Sequence, residues 1–255
     1  MEDLIIEKEK TEALLENVLP KYIAEEIMAK GKATRIKYDF VTVLFSDIQG
    51  FTKIAGEMNP EVLIDELDKL FSYFDSVAVK YGIEKIKTFG DAYMCAGGIP
   101  DKNSTNPVEV ILAALEMMAY LNKLKETSGP EGMKNWDIRI GIHTGAVIAG
   151  VVGKKKLSFD IWGDTVNTAS RMESSGEAGK INISGTTYEF VKDFFDCEFR
   201  GKLPVRYKGE MEMYFVNGII PDLRDENGGP DREFFVKMQM IAPHGKIDTL
   251  QANSE

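Results

Sequence analysis

Residues 40–46, Phe-Val-Thr-Val-Leu-Phe-Ser, put β-branched and aromatic side chains on both sides of an extended chain. A strand that is apolar on both faces must be covered on both, so this run is predicted to be central in its sheet. Residues 83–88 and 92–98 are a second strand pair, joined at Phe89-Gly90-Asp91, and read as a hairpin. Residues 137–153, DIRIGIHTGAVIAGVVG, read as another hairpin turning at Thr144-Gly145, and further strands are expected near 180–184, 195–200 and 211–217. Helices fall between them. Asn59-Pro60 signals a helix start, and Leu63, Leu67, Leu70, Phe74 and Val77 follow at helical spacing towards Gly82. Asn106-Pro107 repeats that signature ahead of Ile111, Ala114, Met118 and Leu121, and a third helix is predicted from Asp164 to about Ser174. Interleaved helices and hairpins point to an α+β domain with an antiparallel or mixed sheet, and argue against a doubly wound parallel one.

The ends of the chain read differently. Across residues 4–28, Leu15, Leu19 and Tyr22, with Leu14, Val18, Ile23 and Ile27 beside them, form a stripe too broad for a lone surface helix. Packing on the domain and a short parallel coiled coil both satisfy it. Pro20 should interrupt this helix or start a second one, and Gly31 should stop it. Beyond Pro221 the chain is polar apart from Phe234-Phe235-Val236, a tail with room for one docking helix. The expected organisation is an N-terminal helix in 1–34, a catalytic-size domain in 35–219 and a tail in 220–255.

Charge and cysteine content remove several functions. The chain has 31 basic and 41 acidic residues, a net charge of −10, so it repels polyanions and does not suit a general nucleic-acid coat. Any phosphate ligand needs a local basic patch. No apolar stretch approaches the roughly 20 residues that span a bilayer, and the acidic N-terminus lacks the blocks of a signal peptide. A cytoplasmic chain is expected, alone or as the cytoplasmic part of a larger membrane-associated protein. With only Cys95 and Cys197 and two histidines, reduced structural cysteines are expected rather than a disulfide framework or structural zinc.

A few residues carry chemistry. Asp47 ends the central strand and Asp91 sits in the tight turn between two others; each alone also reads as a turn or cap residue. Converging, they would suit Mg²⁺ and a polyphosphate. Gln49-Gly50-Phe51-Thr52 would leave backbone N–H groups for an anion. Lys154-Lys155-Lys156 is the one triple basic run, at a strand end, and also reads as a solvated turn. Asn167 and Arg171 share a helix face, suited to a phosphate or sugar oxygen or to a surface salt bridge. Lys87 and Asp160 lie in apolar strand surroundings and need partners if they point inward.

Four strings in this order, LFSDIQGFT, KIKTFGDAYMCAGG, RIGIHTGAVIAGVVG and FDIWGDTVNTASRME, resemble the catalytic domain of the class III nucleotidyl cyclases over about residues 38–218. The resemblance implies a ferredoxin-like domain with a mixed, mostly antiparallel sheet flanked by helices, preceded by a signalling helix. It implies that Asp47 and Asp91 hold two Mg²⁺ or Mn²⁺ ions per site, assisted by the Ile48 carbonyl. Phe51 and Thr52 fall in the phosphate-contacting loop, Asn167 orients the ribose, Arg171 stabilises the transition state, and Lys208 contacts the triphosphate, with Lys155 near another basic position. Lys87 and Asp160 match the base-selecting pair of adenylyl cyclases, with a backbone contact from Ile161. Adenine offers an acceptor at N1 and a donor amine, complementary to Lys and Asp, whereas guanine reverses both.

An adenylyl cyclase is therefore expected, converting ATP to cyclic AMP and pyrophosphate by attack of the ribose 3′-hydroxyl on the α-phosphate. No side chain of these motifs is an obvious base, leaving water or a substrate phosphate to take the proton. The resemblance also implies a homodimer with composite sites, metal aspartates from one subunit and the other residues from its partner, under an upstream sensor module. A guanylyl cyclase, or a silent nucleotide-binding or dimerisation module, is the alternative. His143 is expected to be structural.

Overall fold

The computed structural model describes residue 15 and residues 18–127, 136–153 and 156–241. Among these residues, eight strands form one open sheet. β1 (Ile36–Ile48) lies between β3 (Ala92–Gly97) and β4 (Ile138–Val152), and β2 (Glu84–Phe89) closes that side beyond β3. On the other side β4 is followed by β6 (Ile181–Ser184), β8 (Gly209–Ile219) and β7 (Phe195–Val205), while β5 (Ser158–Trp162) pairs with the far half of β4. Only β4 and β6 run parallel among these pairs, so the sheet is mixed and mostly antiparallel.

The period of two along β1 divides the core. Leu44 and Ile48 join the cluster under α3 (Pro60–Lys80) and α4 (Asn106–Thr127), with Leu70, Phe74, Ile111 and Leu121. Val41, Val43 and Phe45 join the opposite cluster, with Leu19 and Ile23 at α1 (Lys21–Lys30), Phe159 and Ile161 of β5, and Ala169 of α5 (Asp164–Ser174). The strand is covered on both faces, as its composition requires. Asn59 caps α3, its side chain accepting from Glu61 and Val62 N–H groups. α4 already includes Asn106; Thr105 and Asn103 provide its start, and the Asn106 amide is buried instead, accepting a hydrogen bond from Thr42 at 2.7 Å.

Several expectations need correcting. Thr144-Gly145 is not a turn: β4 runs through it for 15 residues, with the Thr144 hydroxyl hydrogen-bonded to Thr42 and Thr187. The glycine is required by packing, because a Cβ on Gly145 would lie 2.5 Å from the Thr165 hydroxyl of α5. The chain instead turns back after Val152, and β5 follows. A seven-residue helix, α6 (Gly185–Val191), was not foreseen; Ser184 caps it by accepting the Thr187 N–H.

At the N-terminal end a helix starts after Pro20 and stops at Gly31, whose φ of 71° is the left-handed conformation that favours glycine. Leu19 and Ile23 are buried and Tyr22 meets Phe159 edge-on, so α1 packs on the domain. The expected helix before residue 15 lies outside the described residues. The segment after Pro221 folds back too: α7 (Arg232–Ile241) buries Phe234 against Phe194 and Phe195. Residues 221–241 are thus less of a polar tail than the composition suggests, and the rest of that segment lies outside the described residues.

His143 sits in this framework as a structural residue, its Nδ1 2.7 Å from the Ser184 hydroxyl. Burial pushes its imidazole down from 6.5 to about 4. At this residue the unfolded chain therefore takes up a proton between those values and the folded chain does not, so the His143 contribution to stability is full above pH 6.5 and is lost as the pH drops towards 4. His143→Gln is expected to remove about 2–3 kcal/mol of that pH dependence, read from urea unfolding at pH 7.5 and pH 4.5.

Candidate active site

Asp47 shares the face of Val43 and Phe45 and ends β1 beside α5. Asp91 follows Gly90, whose φ of 62° makes the tight turn from β2 to β3. Burial, and after it the nearby Asp47 carboxylate, raise the Asp91 carboxyl above its ordinary range, while its own N–H and that of Ile48 hold it down. The two carboxyl groups are thus brought together at the edge of the core. Among the described residues no group of three or more His, Cys, Asp or Glu side chains is arranged to hold a metal. A pair of hard oxygen donors with mutual repulsion nevertheless fits a divalent cation whose remaining ligands come from phosphate and water.

Lys87 and Asp160 are brought together across two strands, Lys87 Nζ donating to Asp160 Oδ2 at 2.6 Å. The Ile161 N–H donates to the other Asp160 oxygen at 2.9 Å, so that group orients the carboxylate instead of remaining free for a ligand. Both residues open into a cavity of about 400 Å³ whose apolar walls include Phe45, Phe89, Met94 and Val166. Lys87 and Asp160 thus put one cation and one carboxylate on the lining of an otherwise mostly apolar slot.

α5 lies directly on β4. A Cβ on Gly141 would fall 1.8 Å from the Glu173 backbone nitrogen, so helix and strand touch with no side chain between them. The helix buries Thr168, Ala169, Met172 and Glu173 and leaves Asn167 exposed and Arg171 half-buried. Among the described residues neither the Asn167 amide nor the Arg171 guanidinium has a hydrogen-bond or ion-pair partner. Lys208, between β7 and β8, pairs with Asp164 in the first turn of α5. Phe51 and Thr52 begin α2 (Phe51–Glu57) after Gly50, where first-turn N–H groups lack intrahelical acceptors. The Gln49 N–H is not available, being bound to the Asp137 carbonyl at 2.7 Å. Lys154 and Lys155 lie outside the described residues, and Lys156 is exposed.

Two residues that the motifs did not single out belong to the site. Arg139, paired in register with Asp47, donates from Nη2 to Asp47 Oδ2 at 3.0 Å and from Nε to Glu173 Oε1. Glu173 is buried on the inner face of α5, and burial raises its carboxyl while Arg139 lowers it. An arginine opposite a strand-end aspartate is visible only once the β1–β4 register is known.

An open mixed sheet thus carries paired carboxylates at a strand end, a Lys–Asp pair on an apolar slot and exposed polar groups on a neighbouring helix, a set of groups that suits a phosphate-bearing ligand. Residues 34–218 match the family model described as "Adenylate and Guanylate cyclase catalytic domain", and the chain belongs to that family. It is 33% identical over 274 residues to the receptor-type guanylate cyclase gcy-5 of Caenorhabditis elegans, covering 98% of this chain and 24% of that protein. It is 39% identical to an adenylate cyclase of Mycobacterium tuberculosis, covering 83% of this chain and 47% of that protein. The chain thus spans less than half of either relative. Among solved structures, a dimeric guanylyl cyclase domain of non-standard arrangement, from the RhoGC fusion protein of the fungus Blastocladiella emersonii, matches with a TM-score of 0.65 at 35% identity, over 72% of this chain and 99% of that one. Relatives of both nucleotide specificities are present. No helix among the described residues is long and apolar enough to cross a membrane.

Proposed function

We propose that this cyclase domain is an adenylyl cyclase, forming cyclic AMP and pyrophosphate from ATP at composite sites in a homodimer. The observation that carries the reading is the Lys87–Asp160 pair at the mouth of the apolar slot. Lys87 donates to adenine N1 and Asp160 accepts from the exocyclic amine, whereas guanine would face each with its own kind. The Ile161 N–H, bonded to the other Asp160 oxygen, limits how that carboxylate can turn, which supports a fixed acceptor at this position.

Asp47 and Asp91 would hold two Mg²⁺ or Mn²⁺ ions. Bound there, such ions lower the pKa of the attacking 3′-hydroxyl and neutralise phosphate oxygens. Arg171 and Asn167 supply donors where charge builds on the α-phosphate and the ribose, and Lys208 and the α2 start bind the triphosphate. Asp47 lies towards the inner side of α5, through Arg139 and Glu173, while Asn167 and Arg171 stand on its outer side. That division supports sites shared between two copies of the chain, in a two-fold dimer.

The test is cyclic nucleotide formation from ATP and GTP, with Mg²⁺ and with Mn²⁺, by the full chain and by Lys87→Glu/Asp160→Cys. The full chain is expected to prefer ATP. The double variant should lose that preference by roughly tenfold or more, at about 1–3 kcal/mol for a matched base contact. Cyclic GMP as the main product of the unaltered chain would assign it to the guanylyl branch, and no product under any condition would leave a silent nucleotide-binding module.

A further inference from the structure

Among the described residues, Arg139 is the one cation that the structure places on a proposed metal-binding carboxylate, and its position is built from three elements. The β1–β4 register sets it opposite Asp47. Gly141, on the same face two residues along the strand, lets α5 touch β4, which delivers Glu173 to the other side of the guanidinium. One guanidinium therefore bridges two carboxylates through different nitrogens, Nη2 to Asp47 and Nε to Glu173. All three side chains are shielded, with 25%, 25% and 12% exposure for Arg139, Asp47 and Glu173. At such sites a charge left without a partner is costly, so the pairing must be exchanged, not simply broken.

We propose that Arg139 is an internal counter-ion that holds Asp47 until a divalent cation takes its place, and that Glu173 is the carboxylate that retains the guanidinium when it lets go. The inference rests on the metal reading of Asp47 and Asp91 and adds two positioning residues to it. Two carboxylates, Asp47 and Glu173, share one guanidinium, and Asp91 stands near Asp47 with no ion pair of its own among the described residues. A divalent ion at Asp47 repels Arg139, and the bond to Glu173 leaves the guanidinium a buried partner, so that Asp47 is the only carboxylate it must release.

The two roles give opposite signs. Arg139→Gln removes the competing cation and should tighten Mn²⁺ binding about threefold or more, whereas Glu173→Gln commits Arg139 wholly to Asp47 and should weaken it about tenfold. In the Arg139→Gln background Glu173→Gln should then have little further effect, because Glu173 acts only through Arg139. Binding is measured as free Mn²⁺ by electron paramagnetic resonance on the full chain, with far-ultraviolet circular dichroism confirming the fold of each variant. Arg139→Lys, which keeps the charge, serves if the glutamine variant unfolds, and should bind Mn²⁺ no more tightly than the unaltered chain. Weaker Mn²⁺ binding in Arg139→Gln, or additive effects in the double variant, would show a fixed brace and overturn the exchange. Mn²⁺ binding that survives Asp47→Ala would instead overturn the metal reading itself.

Discussion

Gly141→Ala is expected to cost the chain about 3 kcal/mol or more of stability, because the added methyl has nowhere to go. Its Cβ would sit 1.8 Å from the Glu173 nitrogen and 2.3 Å from the Glu173 Cα, both backbone atoms of α5 that no side-chain rotation can clear. The helix must lift off β4 or the chain must fail to close its core. Lifting α5 moves Asn167, Arg171 and Glu173 together, so the variant should lose activity even where it folds. Thermal unfolding followed by circular dichroism is expected to show a fall of roughly 10 °C, since each kcal/mol is worth about 2–4 °C in a domain of this size. Gly56, where an added Cβ meets nothing within 4 Å, is the control, and Gly56→Ala should lose far less. A Gly141→Ala chain as stable as the Gly56→Ala chain would refute the helix–strand contact.

Mixing two inactive chains is expected to restore activity. Asp47→Ala and Arg171→Ala should each lower turnover by roughly 10²–10³-fold, the usual cost of removing a transition-state donor or its equivalent. If each site takes Asp47 from one chain and Arg171 from the other, a heterodimer of the two variants keeps one intact site and one doubly damaged site. Random exchange makes half the dimers heterodimers, so an equal mixture should recover about a quarter of the unaltered activity. The check is cyclic AMP formed by the mixture after subunit exchange, with exchange verified by pull-down of a tagged chain. Exchange without recovery would mean that each chain supplies its own Asp47 and Arg171 to one site.

Much of the fold was legible wherever one requirement dominated a segment. Residues 40–46 had no polar face to expose, so a central strand was forced, and α5 begins at Asp164 and ends at Ser174 as its pattern indicates. Thr144-Gly145 misled because turn chemistry and close helix approach both select glycine beside a small polar residue, and only the position of Thr165 separates them. α6 is seven residues long, too short to show a helical period. At the site, the spacing of Asn167 and Arg171 was visible on one helix, whereas Arg139 and Glu173 meet across 34 positions of sequence. Pairings of that kind are set by register and by the depth at which a helix packs, and neither leaves a local mark in the chain.

The docking of α1 has a structural consequence. Tyr22 meets the Phe159 ring at 6.2 Å, nearly perpendicular, and Phe159 immediately precedes Asp160 on a strand of only five residues. No loop lies between the grip of the helix and the carboxylate at the mouth of the slot. Tyr22 and Asp160 are therefore linked by one edge-on ring contact and a single step along a strand that is itself paired with β4, so the packing of α1 and the position of Asp160 share a side-chain neighbour.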